Sequence, residues 1–109
     1  HDGRGLGDQF LKHVERTRVL VHLIDASNED RDPLADYKAI LKELALFNRE
    51  LLDRKQLIVA SKMDVVFNPR RLSRLKAMCT RKKLPFLGVS AVTGQGIKEL
   101  IGMLDSMLR

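Results

Sequence analysis

Two polar clusters, each following a short apolar run, carry side chains that could together bind a flat purine base. Residues 61–64 (Ser-Lys-Met-Asp) follow the run at 57–60, and residues 90–94 (Ser-Ala-Val-Thr-Gly) follow the run at 86–89. The aspartate can accept two hydrogen bonds from the guanine edge, the lysine stem can lie along the ring, and a backbone N–H of the second cluster can donate to the guanine carbonyl. A guanine nucleotide is therefore the first hypothesis, although no G-x-x-x-x-G-K-[ST] phosphate loop occurs in the chain.

These clusters lie in an alternation of helical and strand patterns. Nearly continuous apolar residues predict strands at 18–25, 57–60 and 86–89, as in a parallel sheet that is covered on both faces. Apolar residues at helical spacing predict helices around 10–14, from 32 to about 52, from 68 to before Pro85, and at 95–108. The order predicts an α/β fold: a three-layer sandwich with a parallel sheet of three strands and about four helices.

The helix boundaries have local signals. Asp32-Pro33 and Asn68-Pro69 each combine a capping side chain with a proline that the first helical turn tolerates. Thr93 is expected to cap the last helix, and Val92 to pack in the core. The apolar stripe of that helix predicts burial of Ile97, Leu100, Ile101, Leu104 and Leu108.

Parallel sheets of this kind bind ligands beyond the carboxyl ends of their strands. Asp25 and both polar clusters fall at that edge, so we expect them to form one site. His22 lies within a strand and is expected to be a hydrogen-bonded core residue. No His/Cys/Asp/Glu group has the spacing of a metal site, so none is predicted.

Length, cysteine content and the lengths of the apolar runs indicate a single domain, or part of one, in a reducing compartment. A chain of 109 residues is one domain or part of one. Its single cysteine, Cys79, forms no internal disulfide, fits a reducing cytoplasm and is expected to be buried. No apolar run approaches the ~20 residues that span a bilayer, so no membrane association is predicted.

The net charge is +6, and much of the excess lies between positions 70 and 83 without an intervening acid. Two interpretations stay open: a solvated helix face, or a surface that contacts RNA. The cations are Arg70, Arg71, Arg74, Lys76, Arg81, Lys82 and Lys83.

Several separated segments resemble one family. Residues 61–64 resemble the N-K-x-D motif of P-loop GTPases, and Ser90-Ala91-Val92 resembles their S-A-x motif. Residues 3–17 resemble the segment after the D-x-P-G motif in the Obg family, and 19–25 and 30–37 resemble the strand and the helix start that follow there. The resemblance extends over essentially the whole chain.

The resemblance implies that residues 1–109 are the C-terminal part of an Obg-type GTP-binding domain, from the second switch region to the last helix. Gly3, Gly5 and Gly7 would belong to that switch. The phosphate loop, the first switch and the Mg²⁺ ligands would lie upstream, outside this chain. The longer protein would bind GTP and GDP, hydrolyse GTP slowly and act in assembly of the large ribosomal subunit, whereas this chain alone is expected to be inactive.

The resemblance also assigns roles within the site. Asp64 would accept from guanine, Lys62 would pack on the base and reach the phosphate loop, and Ala91 would donate its N–H to guanine O6. Ser90 would steady the turn. Ser61 stands where the family has asparagine, which implies a weaker tie to the phosphate loop. The guanine-binding set is Ser61, Lys62, Met63, Asp64, Ser90, Ala91 and Val92.

Two alternatives and one consequence remain. The basic segment, above all Arg70, Arg71 and Arg74, would make the chain an RNA- or ribosome-binding module without nucleotide function. A phospho-receiver domain with Asp25 as acceptor and Lys62 nearby is disfavoured, because its lysine would have to follow a later strand.

The strand at 18–25 would have a bare edge in this chain, which predicts dimerisation or strand swapping.

Overall fold

Three parallel strands form the sheet in the computed structural model, which describes residues 17–109. Strands β1 (Val19–Asp25), β2 (Lys55–Ser61) and β3 (Phe86–Gly88) lie side by side in the order β1-β2-β3. The helices are α1 (Pro33–Phe47), α2 (Pro69–Arg81) and α3 (Ile97–Leu108), and two short 3₁₀ helices span Arg49–Asp53 and Met63–Val65. The predicted parallel α/β sandwich is confirmed. The first predicted helix and Gly3, Gly5 and Gly7 lie outside the described residues.

The predicted starts of α1 and α2 are also confirmed. The Asp32 side chain accepts from the backbone N–H of Leu34, and that of Asn68 accepts from Arg70 and Arg71. Helix α1 ends earlier than its apolar stripe predicted, because Asn48 is extended and opens a 3₁₀ turn instead. The stripe itself continues into that turn, where Leu51 is fully buried.

One face of the sheet packs against α1 and α2. Ile24 and Ile58 of the sheet contact Tyr37 of α1 and a row of apolar residues on α2. Cys79 belongs to this row and is buried, as predicted. Nearer the amino end of the sheet, Leu20 packs with residues of α1 and of the following 3₁₀ helix.

The opposite face packs against α3 only where β2 and β3 lie. Leu57 and Val59 of β2 and Val89 after β3 are buried there. Of the α3 residues predicted to be buried, Ile97, Leu100 and Leu104 pack on this cluster and are half-buried. Ile101 and Leu108 are mostly exposed, and Met103 and Met107 pack in their place.

Strand β1 corrects the prediction that both sheet faces are covered. Its side chains alternate, so that Leu20, His22 and Ile24 are buried while Val21 and Leu23 are 45% and 67% exposed. The reason is the position of α3, whose apolar contacts fall on β2 and on the residues around β3. Within the described part of the chain, no helix is long and apolar enough to cross a membrane.

Candidate functional site

The two polar clusters meet at the carboxyl edge of the sheet. The backbone N–H of Met63 donates to the Val89 carbonyl at 3.0 Å, and the N–H of Val89 donates to the Ala60 carbonyl at 2.8 Å. These bonds extend the β2–β3 ladder beyond the strands and hold the two clusters together. The predicted convergence of residues 61–64 and 90–94 is therefore present.

Lys62 turns the chain at the end of β2. It has φ 58° and ψ 41°, a left-handed conformation that is uncommon for a residue with a side chain. The turn leads directly into the 3₁₀ helix Met63–Val65, in which the Val65 N–H donates to the Lys62 carbonyl at 3.0 Å. Backbone strain of this kind persists only where the surroundings enforce it, and it is frequent at functional sites.

A short hydrogen bond joins the two clusters through side chains. The Ser90 hydroxyl donates to Asp64 Oδ1 at 2.7 Å, and Ser90 is fully buried. The same hydroxyl accepts from the Thr93 N–H at 3.2 Å, while the Ser90 carbonyl accepts from Gly94 at 2.8 Å. Ser90 therefore fixes the second turn and also orients the carboxylate of Asp64.

The end of β1 contributes a second carboxylate. Asp25 Oδ1 accepts from both the N–H and the hydroxyl of Ser27, at 2.8 and 2.7 Å, and Oδ2 accepts from Lys62 Nζ at 3.2 Å. The Ser27 hydroxyl, the Ser27 N–H and the Lys62 ammonium hold the pKa of Asp25 below its usual range. Sequence reasoning placed Asp25 at this edge but missed Ser27, although Asp-x-Ser is a common local turn.

Ser61 is tied to its own sheet. It lies opposite Asp25 in the β1–β2 register, and its hydroxyl donates to the Ile24 carbonyl at 3.3 Å. Its carbonyl accepts from the Ala26 N–H at 3.0 Å. These bonds brace the ends of β1 and β2 against each other.

The second turn corrects two predictions. Val92 is 85% exposed and does not pack in the core. Thr93 does not cap α3, because the helix begins after Gly96 without a side-chain cap, and the Thr93 hydroxyl instead accepts from the Gln95 N–H at 3.2 Å. Ala91 is exposed, and its N–H donates to none of the described residues.

The basic segment divides into one structural arginine and a set of exposed cations. Arg71 donates to the carbonyls of Glu29 and Arg31 at 3.2 and 3.4 Å, and so clasps the loop after β1. Sequence reasoning missed this clasp, because the contact spans about forty positions and leaves no local signal. The other cations are exposed and form no ion pair with any described residue: Arg70, Arg74, Lys76, Arg81, Lys82 and Lys83.

No metal centre accompanies the site in the part of the chain from 17 to 109, where no three His, Cys, Asp or Glu residues are grouped to hold an ion. Asp25 and Asp64 serve separate partners, Lys62 and Ser90. The site thus offers a carboxylate held by Ser90, an exposed Ala91 whose N–H meets no described acceptor, and the exposed side chain of Lys62.

This sheet, with helices on both faces and polar loops at its carboxyl edge, is an α/β fragment of a P-loop GTPase domain. Comparison with known proteins identifies the family. The chain is 57% identical over 102 residues to a GTPase Obg of Acidobacterium capsulatum, covering 92% of this chain and 29% of that protein. It is 48% identical over 101 residues to a GTPase Obg of Solibacter usitatus, covering 92% and 30%.

A GTPase Obg of Anoxybacillus flavithermus is 47% identical over 109 residues, covering 99% of this chain and 25% of that protein. No protein-family model matches the chain. The chain belongs to the Obg family, as its motifs predicted, and it spans about a quarter to a third of the length of the relatives it matches.

Proposed function

We propose that this chain supplies guanine-base recognition to an Obg-like GTP-binding protein, as the part of its GTP-binding domain from the second switch region to the last helix. The observation that carries the proposal is the hydrogen bond from Ser90 to Asp64 at 2.7 Å. It joins the two clusters that the sequence predicts to bind one ligand, and it holds the acceptor of the site in one orientation.

The carboxylate of Asp64 has the capacity that guanine recognition needs. Oδ1 accepts from Ser90 and keeps a second lone pair, and Oδ2 accepts from none of the described residues, so both oxygens can accept from the base. Guanine presents N1–H and an exocyclic amino group on one edge, and two acceptor oxygens match them. Adenine presents neither donor there, and a polar site left unpaired discriminates strongly. The exposed N–H of Ala91 would donate to guanine O6.

The remaining groups would complete the base pocket. Lys62 would lay its methylene stem along one ring face. Met63 would hold the loop through its backbone bond to Val89. Val92, which is exposed beside Ala91, would add apolar contact at the rim.

Catalysis is proposed for the longer protein and not for this chain. Phosphoryl transfer depends on a phosphate cradle and Mg²⁺, and the described residues present no cluster that would hold the ion. We propose that GTP, GDP and Mg²⁺ are bound with groups outside this chain, with slow GTP hydrolysis, action in assembly of the large ribosomal subunit and a cytoplasmic location. The purified 109-residue chain is expected to show no GTP turnover above a buffer control.

Guanine recognition is tested by titrating the chain with GDP and with ADP and following backbone amide shifts by NMR. GDP is expected to perturb residues 61–64 and 90–94, and ADP is not. Asp64→Asn replaces one acceptor oxygen by a donor, so it should lower GDP affinity by about tenfold or more. Asp105→Asn is the matched control, because Asp105 forms an exposed pair with Arg109 on α3. Equal response to GDP and ADP would contradict the proposal.

We propose RNA binding as a second function, supported by cations of α2 that form no ion pair with any described residue. Arg70, Arg74 and Arg81 are exposed and recur at positions that share one side of the helix. A row of cations along a helix matches the repeated charge of a phosphate backbone.

The test of RNA binding is affinity for a structured RNA over a salt series. Replacing Arg70, Arg74 and Arg81 together by glutamine should weaken binding and flatten its salt dependence by roughly one unit of slope per lost phosphate contact. The control replaces Lys38, Arg49 and Lys98, which are exposed on other elements, and should change little. If both triple variants behave alike, binding follows net charge and the α2 surface is not a site.

A further inference from the structure

The carboxylate of Asp25 is held in one orientation by hydrogen bonds. The roles proposed for residues 61–64 and 90–94 do not explain why it is held there. Its Oδ1 is saturated by the two Ser27 donors, at 2.8 and 2.7 Å, so the carboxylate cannot rotate freely. The second oxygen then points to one partner, the ammonium of Lys62, at 3.2 Å. A fixed acceptor of this kind orients a flexible cation at lower entropic cost than a mobile one.

The backbones beneath this pair are also fixed. Asp25 lies opposite Ser61 in the register, so Lys62 is the next residue beyond that pairing. The Ala26 N–H donates to the Ser61 carbonyl at 3.0 Å, and the Phe67 N–H donates to the Ala26 carbonyl at 3.1 Å. The end of β1 therefore braces the loop that carries Lys62 and Asp64 on both sides.

Lys62 needs an orienting partner, because its side chain is 61% exposed and has four rotatable bonds. A stem that samples many rotamers makes a poor platform for a ring, whereas a stem whose ammonium is held at β1 lies across the ends of β1 and β2. The pairing also places the negative charge of the Asp25 carboxylate beside the positive charge of Lys62.

We infer that Asp25 is a positioning residue of the base site, which holds Lys62 so that its methylene stem, and not its charge, faces the ligand. This inference rests on the proposed guanine recognition. It assigns to the end of β1 a part in affinity that requires no contact between Asp25 and the ligand. Ser27 acts indirectly, because it fixes the Asp25 carboxylate that holds Lys62.

Guanosine is the probe that isolates this role. It carries no charge, so the loss of a nearby carboxylate changes its binding only through Lys62 and not through a direct field on a phosphate. Asp25→Asn keeps an oxygen for Ser27 but removes the charge that holds the ammonium. We expect the affinity for guanosine, measured by NMR titration, to fall about threefold. Asp105→Asn, which removes the carboxylate of the exposed Asp105–Arg109 pair, should leave it unchanged.

A double-mutant cycle separates positioning from a general structural effect. In a Lys62→Met background the stem remains but there is no ammonium to hold, so Asp25→Asn should have no further effect on guanosine affinity. The affinity of the native chain should also fall from low to high salt, because an exposed pair is screened, and that of Asp25→Asn should not. Persistence of the Asp25→Asn effect in the Lys62→Met background would overturn the inference.

A readout without ligand tests the pair itself. The rate at which an acylating reagent modifies Lys62, followed by mass spectrometry, should rise in Asp25→Asn relative to Lys38, which is exposed and unpaired among the described residues. An unchanged rate overturns the inference. A native chain that prefers guanosine to adenosine, with unchanged affinity in Asp25→Asn, overturns the inference alone. A native chain without that preference contradicts the proposed function, and the role of Asp25 with it.

Discussion

His22 is a buried polar residue whose role is structural, as its strand position predicted. Its Nε2 lies 3.1 Å from Gln56 Oε1, which also accepts from the Tyr37 hydroxyl at 3.0 Å. The His22 and Tyr37 rings pack edge to face with centroids 5.1 Å apart. Burial lowers the pKa of His22 below its usual value, so the folded chain holds this imidazole neutral.

That arrangement predicts a loss of stability on acidification. Between the lowered pKa of folded His22 and the unfolded value of about 6.5, the unfolded chain binds more protons. The free energy of unfolding should therefore fall as pH decreases below about 6.5, by at most ~1.4 kcal/mol per pH unit for this one group. Urea unfolding at several pH values measures it.

The control for this prediction is His22→Gln, which retains a polar side chain without a titrating ring. Its stability at neutral pH is expected to be lower, but its slope with pH should be shallower than that of the native chain. Identical slopes in the two proteins would show that other groups govern the acid response.

At the scale of elements, the turn before α3 depends on one glycine. Gly96 has φ 74°, and a Cβ at this position would collide with the carbonyl oxygen of Gly88 in β3. The close approach allows the chain to return from the second polar cluster onto the sheet. A side chain here would push α3 away from β3 and disturb the Ser90 turn.

Gly96→Ala is therefore expected to destabilise the fold by at least about 1 kcal/mol. Gly102→Ala is the matched control, because Gly102 lies inside α3 with open space around it. Alanine is the better helix former by up to about 1 kcal/mol, so this variant should be neutral or stabilised. Thermal unfolding of both variants compares them directly, and equal melting temperatures would contradict the steric argument.

The features that were predictable from sequence are those whose causes are local. Asp32 and Asn68 bond to backbone groups two or three residues away, so the helix starts could be predicted from neighbouring residues. The pairing of the two polar clusters was predictable from strand direction alone. Burial was less predictable, since Val21 and Ile101 are as apolar as buried residues and are exposed only because of where α3 lies.

Within the site, the same distinction separates what was found from what was missed. Asp64 and Ser90 were predicted from sequence motifs, and in the structure a hydrogen bond of 2.7 Å joins their side chains. The clasp of Arg71 on the loop after β1 depends on how α2 crosses that loop, which no pattern along the sequence encodes. Val92 was expected in the core for its hydrophobicity. It is instead exposed, in the turn that the hydrogen bond from the Gly94 N–H to the Ser90 carbonyl closes.

For the molecule as a whole, the outer edge of β1 pairs with no strand among the described residues. A groove of about 680 Å³ runs along that edge between β1 and α1, and its lining includes Leu23 and Leu46. Leu46 is 76% exposed and Leu23 is 67% exposed, and the strand from Val19 to Ile24 contains no charged residue. Seven residues whose outer edge pairs with no described strand are a template for another strand.

The isolated chain is therefore expected to self-associate through β1 of a second copy, which light scattering over a concentration series detects. Leu23→Lys places a charge beside the strand edge and removes from each copy an exposed leucine that association would bury, so association should weaken at least about tenfold. Ile101→Lys is the control, since Ile101 is equally exposed but lies on α3. A native chain that stays monomeric at high concentration, or equal weakening by both variants, would contradict pairing at this edge. Asp25 lies at the carboxyl end of β1. A partner strand that covers this end should therefore weaken guanosine binding, whereas one that stops short of it should leave guanosine binding intact.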